Sequence, residues 1–265
     1  MRGLTLLWLC MCLQAQPYHW EHQPIERQVS DIEPPSGYIR LPLQDGSFGS
    51  WLRMLPLLPG GTPVHLYNGT LKRNQNAHFA VIDIDVGHAN LQQCADAVIR
   101  LHAEYLFQAQ AFDLISYDFT SGDTCTWRDW SQGLRPTVKQ AHVEWHNKAR
   151  PDESYANFRR FLTTVFIYAG TASLSRQLPR VEAGDMTIGD VVIQPGFPGH
   201  AVLVVDQAQN DLGESVFLLA QSYMPAQQIH ILKGDEGPWY RPVTRILITP
   251  EWTFDPPQIY RLPQN

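Results

Sequence analysis

A chain of 265 residues, 44% hydrophobic and 17% charged, carries a formal net charge of −6. This acidic balance excludes the basic face that nucleic-acid phosphates require, and no lysine-rich run suits an anionic membrane surface. The length allows one sheet-rich domain, and twenty prolines with eighteen glycines predict many turns.

Residues 1–15 read as a signal peptide. Arg2 supplies a positive start, residues 4–13 a compact apolar run, and Ala15 a small residue for cleavage. The run is too short to span a bilayer. Cys10 and Cys12 follow Leu9 and Met11 rather than the small residue of a lipid-attachment site, so export without a lipid anchor is the favoured reading. Cys94 and Cys125 remain after cleavage. An oxidising compartment could pair them, and they lack the spacing of a structural zinc site. Residues 16–36 are polar and proline-bearing and predict a tether with little structure, ahead of a single domain over 37–265.

Within that domain, Asn68-Gly69 predicts a tight hairpin over residues 64–72. Residues 79–86 alternate as a strand, and Asn90 is placed to cap a helix running to about Gln108. A strand over 114–120 and a loop over 121–133 follow, the loop carrying Cys125, Trp127 and Trp130. Residues 138–145 alternate again, and a second helix is predicted over 155–178. Strands at 189–194, 200–206, 215–221 and 228–232 then come in succession, ahead of a proline-rich C-terminal stretch expected to wrap the surface. Helices early and consecutive strands late predict an α+β fold, an antiparallel sheet with two principal helices.

One constellation could carry chemistry. A nucleophilic cysteine needs a helix N-terminus and a nearby imidazole to lower its pKa, and Cys94 falls in the first turn of its predicted helix. His200 opens a strand and Gln221 ends the next, so the amide could orient the ring. Gln93 could donate to an oxyanion. The plainer reading is that Cys94 is a buried thiol on an apolar helix face.

The order of a Gln-Cys helix, then Gly189-Asp-Val-Val-Ile193, Gly199-His-Ala-Val-Leu-Val204 and a strand ending in a polar residue resembles the papain-like amidases of the NlpC/P60 and CHAP type. That resemblance implies a papain-like core with insertions, with Cys94 as nucleophile, His200 as base and Gln221 as orienting group. It also implies an exported hydrolase acting on peptide or amide bonds, in cell-wall material. The 96 residues between Cys94 and Asp190, and a Gln in place of His, Asn or Glu, depart from the pattern. A longer resemblance is to an uncharacterised bacterial family, domain-of-unknown-function family 4846. It rests on Gly46-Ser-Phe-Gly-Ser-Trp-Leu-Arg53, Leu91-Gln-Gln-Cys-Ala-Asp-Ala-Val-Ile-Arg100, Tyr168-Ala-Gly-Thr-Ala-Ser-Leu174, Pro198-Gly-His-Ala-Val-Leu-Val-Val-Asp206 and Ala220-Gln-Ser-Tyr-Met-Pro-Ala-Gln227. It implies an exported, envelope-associated protein and supplies no reaction.

Three other patterns carry less. His142 and His146 have zinc-pair spacing, but the alternation of Val143 and Trp145 places them with Glu144 on the wet face of a strand, so no metal is expected. Asp83 and Asp85 share a predicted strand face and could form a glycosidase pair, though a solvated face is the plainer reading. Trp127 and Trp130 could stack a sugar or pack the core. That platform would serve the alternative function, a non-catalytic envelope domain binding glycan or protein. No glycine-rich phosphate loop is present, so no cofactor is expected.

Overall fold

The computed structural model describes residues 18–140, 142–241 and 245–264; the predicted signal peptide lies outside them. The fold is α+β. A nine-stranded antiparallel sheet runs, in spatial order, His78–Val81, His230–Leu232, Ser215–Gln221, His200–Asn210, Asp190–Gln194, Ile259–Arg261 and Arg180–Val181. Tyr38–Arg40 pairs with the far end of the His200 strand, and Trp239–Tyr240 pairs with the Ser215 strand.

The central strands match the predicted ones closely because their apolar residues run without a break. Such runs are buried on both faces of a sheet. Ala201, Leu203 and Val205 join the larger core beneath the helices, while Val202 and Val204 join a smaller cluster with Phe217, Leu219 and Phe254. One irregularity interrupts the ladder between the His200 and Ser215 strands. Leu218 pairs with Asp206 and Leu219 with Val204, so Val205 is the extra residue of a β-bulge.

The helix Cys94–Gln108 packs on the His200 strand from the larger-core side. All but its last residue is buried, so its polar residues need partners. Arg100 binds Glu104 at 2.7 Å and Gln92 at 3.1 Å, and His102 lies between the Tyr117 hydroxyl and the Pro263 carbonyl. Asn90 does not cap this helix. Gln93 occupies the cap, and Asn90 Oδ1 instead accepts the Ala226 amide at 2.7 Å.

Other elements depart from expectation for physical reasons. The predicted 155–178 helix is two, Tyr155–Tyr168 and Thr171–Gln177, broken at Ala169-Gly170. The predicted 121–133 loop contains the strand Thr124–Thr126 and the helix Trp127–Ser131, capped by Thr126. The segment expected to be a tether has one short 3-10 turn, but Tyr18, Trp20, Val29 and Ile32 are buried. Trp20 donates to the Asp83 carbonyl at 2.8 Å, which ties the segment to the body. Among the described residues no helix is long and apolar enough to cross a membrane.

Candidate functional site

Cys94 is the first residue of its helix, and its sulfur lies at the rim of the sheet. The thiol donates to the Gly199 carbonyl at 3.8 Å. The amide of Ala201 also approaches it, so the sulfur meets the peptide units on both sides of His200. It does not meet the ring. Strand alternation turns His200 to the same side as Val202 and Val204, where Phe254 lies 5.8 Å away centroid to centroid, whereas the Cys94 helix covers the other face. Burial, reinforced by Asp96, pushes the Cys94 thiol up to about 11, against the pull of the Ala95, Ala201 and Cys94 amides. The thiol is therefore protonated at neutral pH. Desolvation outweighs the helix N-terminus here.

His200 and Gln221 are joined as expected: His200 Nε2 and Gln221 Oε1 are 2.7 Å apart. The direction of this bond follows from its neighbours. Glu251, through Oε2, accepts from Gln221 Nε2 at 2.9 Å and from Lys72 at 2.5 Å. A carboxylate only accepts, so the Gln221 NH2 points at Glu251 and its oxygen at His200. His200 Nε2 must then carry the proton, and Nδ1 of the neutral ring holds a lone pair. That Nδ1 is buried without a hydrogen-bond partner.

The second histidine obeys the same logic. His230 Nδ1 donates to the Gln228 carbonyl at 2.9 Å, so its Nε2 is an acceptor facing Lys72 and Gln221, each at 3.4 Å. Each donor group in the set thus faces an acceptor, with Lys72 and Gln221 sharing the one lone pair of His230 Nε2. Burial drives the His200 pKa down to about 4, with Lys72 adding to the effect and Gln221 opposing it. Burial and then Lys72 hold His230 well below its ordinary range. Both rings are therefore neutral at pH 7. Tyr223, Trp252 and Phe254 wall the His200 ring at centroid distances of 5.0, 5.2 and 5.8 Å, leaving it with no solvent exposure.

Cys94 and Gln93 border a cleft of about 520 Å³, together with Asp96, Phe166, Ile167, Phe197 and Met224. A second hollow of about 490 Å³, bounded by Lys72, Arg73, Tyr223 and Glu251, shares Met224 as a wall.

The remaining candidates lie elsewhere. Trp127 and Trp130 are core residues, 1% and 5% exposed, packed on Phe158 and Phe161, and present no face to a sugar. Cys94 and Cys125 are both free and buried, so the pairing left open by the sequence is not made. Asp83 and Asp85 do not form a catalytic pair, because other groups hold both. Asp83 accepts the Gln23 amide at 2.7 Å. Burial would raise the Asp85 carboxyl, but Arg159 and Arg100 outweigh it and hold it well below the usual range. His142, Glu144 and His146 do share the exposed face of the strand His142–Asn147. Among the described residues no cluster of three or more His, Cys, Asp or Glu is placed to hold a metal.

Sequence reasoning missed Glu251, Lys72, His230 and Tyr223. His230 lay in a predicted strand, Lys72 at the end of the predicted hairpin and Tyr223 in a stretch carrying the family resemblance, but nothing in the sequence marked any of them as a site residue. Fold and site together define an α+β protein with a buried His–Gln–Glu–Lys–His network beside a cysteine-bordered cleft. The chain belongs to the family described as Domain of unknown function (4846), which matches residues 29–261. No curated protein and no solved structure matches the chain.

Proposed function

We propose that this protein is an exported cysteine hydrolase with a papain-like core, cutting a peptide or amide bond in cell-wall material. The observation that carries the reading is the unpartnered Nδ1 of His200. Its tautomer is fixed as a base by Gln221 and Glu251, and it belongs to the residue whose flanking peptides touch the Cys94 sulfur. Nine buried side-chain polar atoms lack a hydrogen-bond partner among the described residues, and this one is set apart because the peptides flanking its residue touch the Cys94 sulfur.

The chemistry on this reading is general-base thiol attack rather than a resting thiolate–imidazolium pair. The step requires the His200 ring to reach the Cys94 side of its strand; Cys94 then leaves the Gly199 carbonyl, gives its proton to His200 Nδ1 and forms a carbon–sulfur bond to the substrate carbonyl. The Cys94 and Ala95 amides, which face the sulfur, would oppose the oxyanion, whereas the Gln93 side-chain amide is turned to Asn90 Oδ1 at 3.3 Å. The carbon–nitrogen bond breaks as His200 returns the proton to the departing amine, and water then hydrolyses the thioester.

Iodoacetamide labelling of Cys94 across pH tests this. A reactive plateau below pH 8 that disappears in His200→Ala supports the base. A rate that climbs steadily toward pH 11 in both proteins removes it.

A second reading has its own support. The high thiol pKa, the bond to Gly199 and the placement of the ring on the opposite sheet face all suit a non-catalytic envelope domain. Such a domain would bind its ligand in the Cys94 cleft, since the tryptophan pair is buried.

A further inference from the structure

The walls of the Cys94 cleft have a chemistry that holds under either reading. Ten large apolar side chains are exposed among the described residues, and three of them ring this one cleft: Phe197 at 91%, Ile167 at 52% and Met224 at 41%. They come from three separate stretches of chain. Phe197 projects from the turn before the His200 strand, Ile167 from the last turn of the Tyr155–Tyr168 helix, and Met224 from the loop after Gln221. Scattered exposed apolar residues need no explanation, but three converging on one hollow do.

The same walls carry no Lys, Arg or Glu. The one carboxyl among them, Asp96, is buried. Its Oδ2 accepts the Gln93 amide at 3.1 Å, while Oδ1 has no hydrogen-bond partner. Burial raises the pKa of this carboxyl well above the ordinary range, against the pull of the Gln93 and Asp96 amides. The cleft thus offers an apolar rim, an unsatisfied hydrogen-bonding oxygen and no basic side chain. Its volume of about 520 Å³ suits a small ligand or one residue of a longer chain.

We infer that the Cys94 cleft binds an uncharged amide-bearing group with an aromatic or branched aliphatic side chain. The side chain lies against Phe197, Ile167 and Met224, and the amide meets Asp96. A charged side chain would be stripped of water here without a counter-charge to compensate. This assignment concerns recognition, so it does not rest on Cys94 acting as a nucleophile.

The test is direct binding to the full chain and to Cys94→Ala by ligand-observed NMR, with N-acetyl-phenylalaninamide, N-acetyl-leucinamide and N-acetyl-aspartic acid α-amide as probes. Both neutral apolar probes are expected to bind each protein at least about tenfold more tightly than the charged one, the scale of discrimination an apolar pocket gives. Phe197→Ser sits on the exposed rim and leaves the core intact, and it should remove most of that preference. Equal binding of all three probes, no binding, or a preference unchanged in Phe197→Ser would overturn the assignment. A preference that survives in Cys94→Ala, combined with a Cys94 unreactive to iodoacetamide, would uphold the cleft and sink the hydrolase.

Discussion

Glu251 decides which way Gln221 faces. The carboxylate accepts from the amide nitrogen at 2.9 Å, and only the amide oxygen is left for His200. A residue thirty positions away on a proline-rich segment thereby sets the tautomer of a buried imidazole.

Replacing Glu251 tests that dependence. Glu251→Ala leaves Lys72 buried without its counter-charge and is expected to lower stability by about 3 kcal/mol, measured by urea unfolding. Lys72→Met in the same chain should recover a large part of the loss, with a coupling energy visible in the double-mutant cycle. Strictly additive effects would show that the pair is not a unit.

Acidification gives a second expectation. Burial lowers His200 and His102 to about 4 and His230 well below its ordinary range, so the fold holds them neutral while the unfolded chain protonates near 6.5. The unfolded state then binds more protons between about pH 6.5 and 4, and stability falls as pH drops through that window. Asp96 opposes this, since its raised pKa keeps a proton in the fold that the unfolded chain releases above about pH 4. With His78 also lowered by burial, four histidines against one carboxyl leave the net slope positive. Calorimetry should therefore show a Tm that falls steadily from pH 7 to 4.5, and a flat profile would contradict it.

Gly199 has no room for a side chain. A Cβ there would stand 2.3 Å from Thr171 Oγ1 and 2.5 Å from the Gly196 carbonyl. Gly199→Ala is expected to cost about 1–3 kcal/mol by overpacking. It should also change the Cys94 alkylation rate, because the sulfur bonds to the carbonyl of this residue. An unchanged rate in a folded Gly199→Ala protein would show that the sulfur does not depend on this turn.

Trp20 separates a packed segment from a free tether. It is 2% exposed, stacks with Tyr18 and donates to the Asp83 carbonyl. Trp20→Ala is expected to destabilise the protein by about 3 kcal/mol or more. A change below about 0.5 kcal/mol, the usual size for surface positions, would mean that the segment does not hold to the body.

These particulars mark how far the sequence could be read. The runs at 189–194, 200–206 and 215–221 announced themselves because a buried strand needs continuous apolar residues, whereas the polar extension of the His200 strand to Asn210 did not, and the nearness of His200 to Gln221 followed from their places at adjacent strand ends. The start of the Cys94 helix was misplaced by a few residues because Asn90 looks like a cap, while its oxygen serves a distant amide. Trp127 and Trp130 gave no local sign of facing inward, since three-residue spacing suits a loop or a short helix equally. Lys72, His230 and Glu251 come together only through long-range folding, and no periodicity in any one segment records that meeting.

The bulge at Val205 has a consequence for the site. Cross-strand partners share a face, and without the extra residue the ladder below Leu218 would carry Gln221 opposite Leu203, on the helix side of the sheet. With it, the pleat of one strand slips half a period against the other, and Gln221 arrives on the side where His200 already stands. The bond between amide and imidazole is thus a matter of parity, set by one residue among 265 that touches neither.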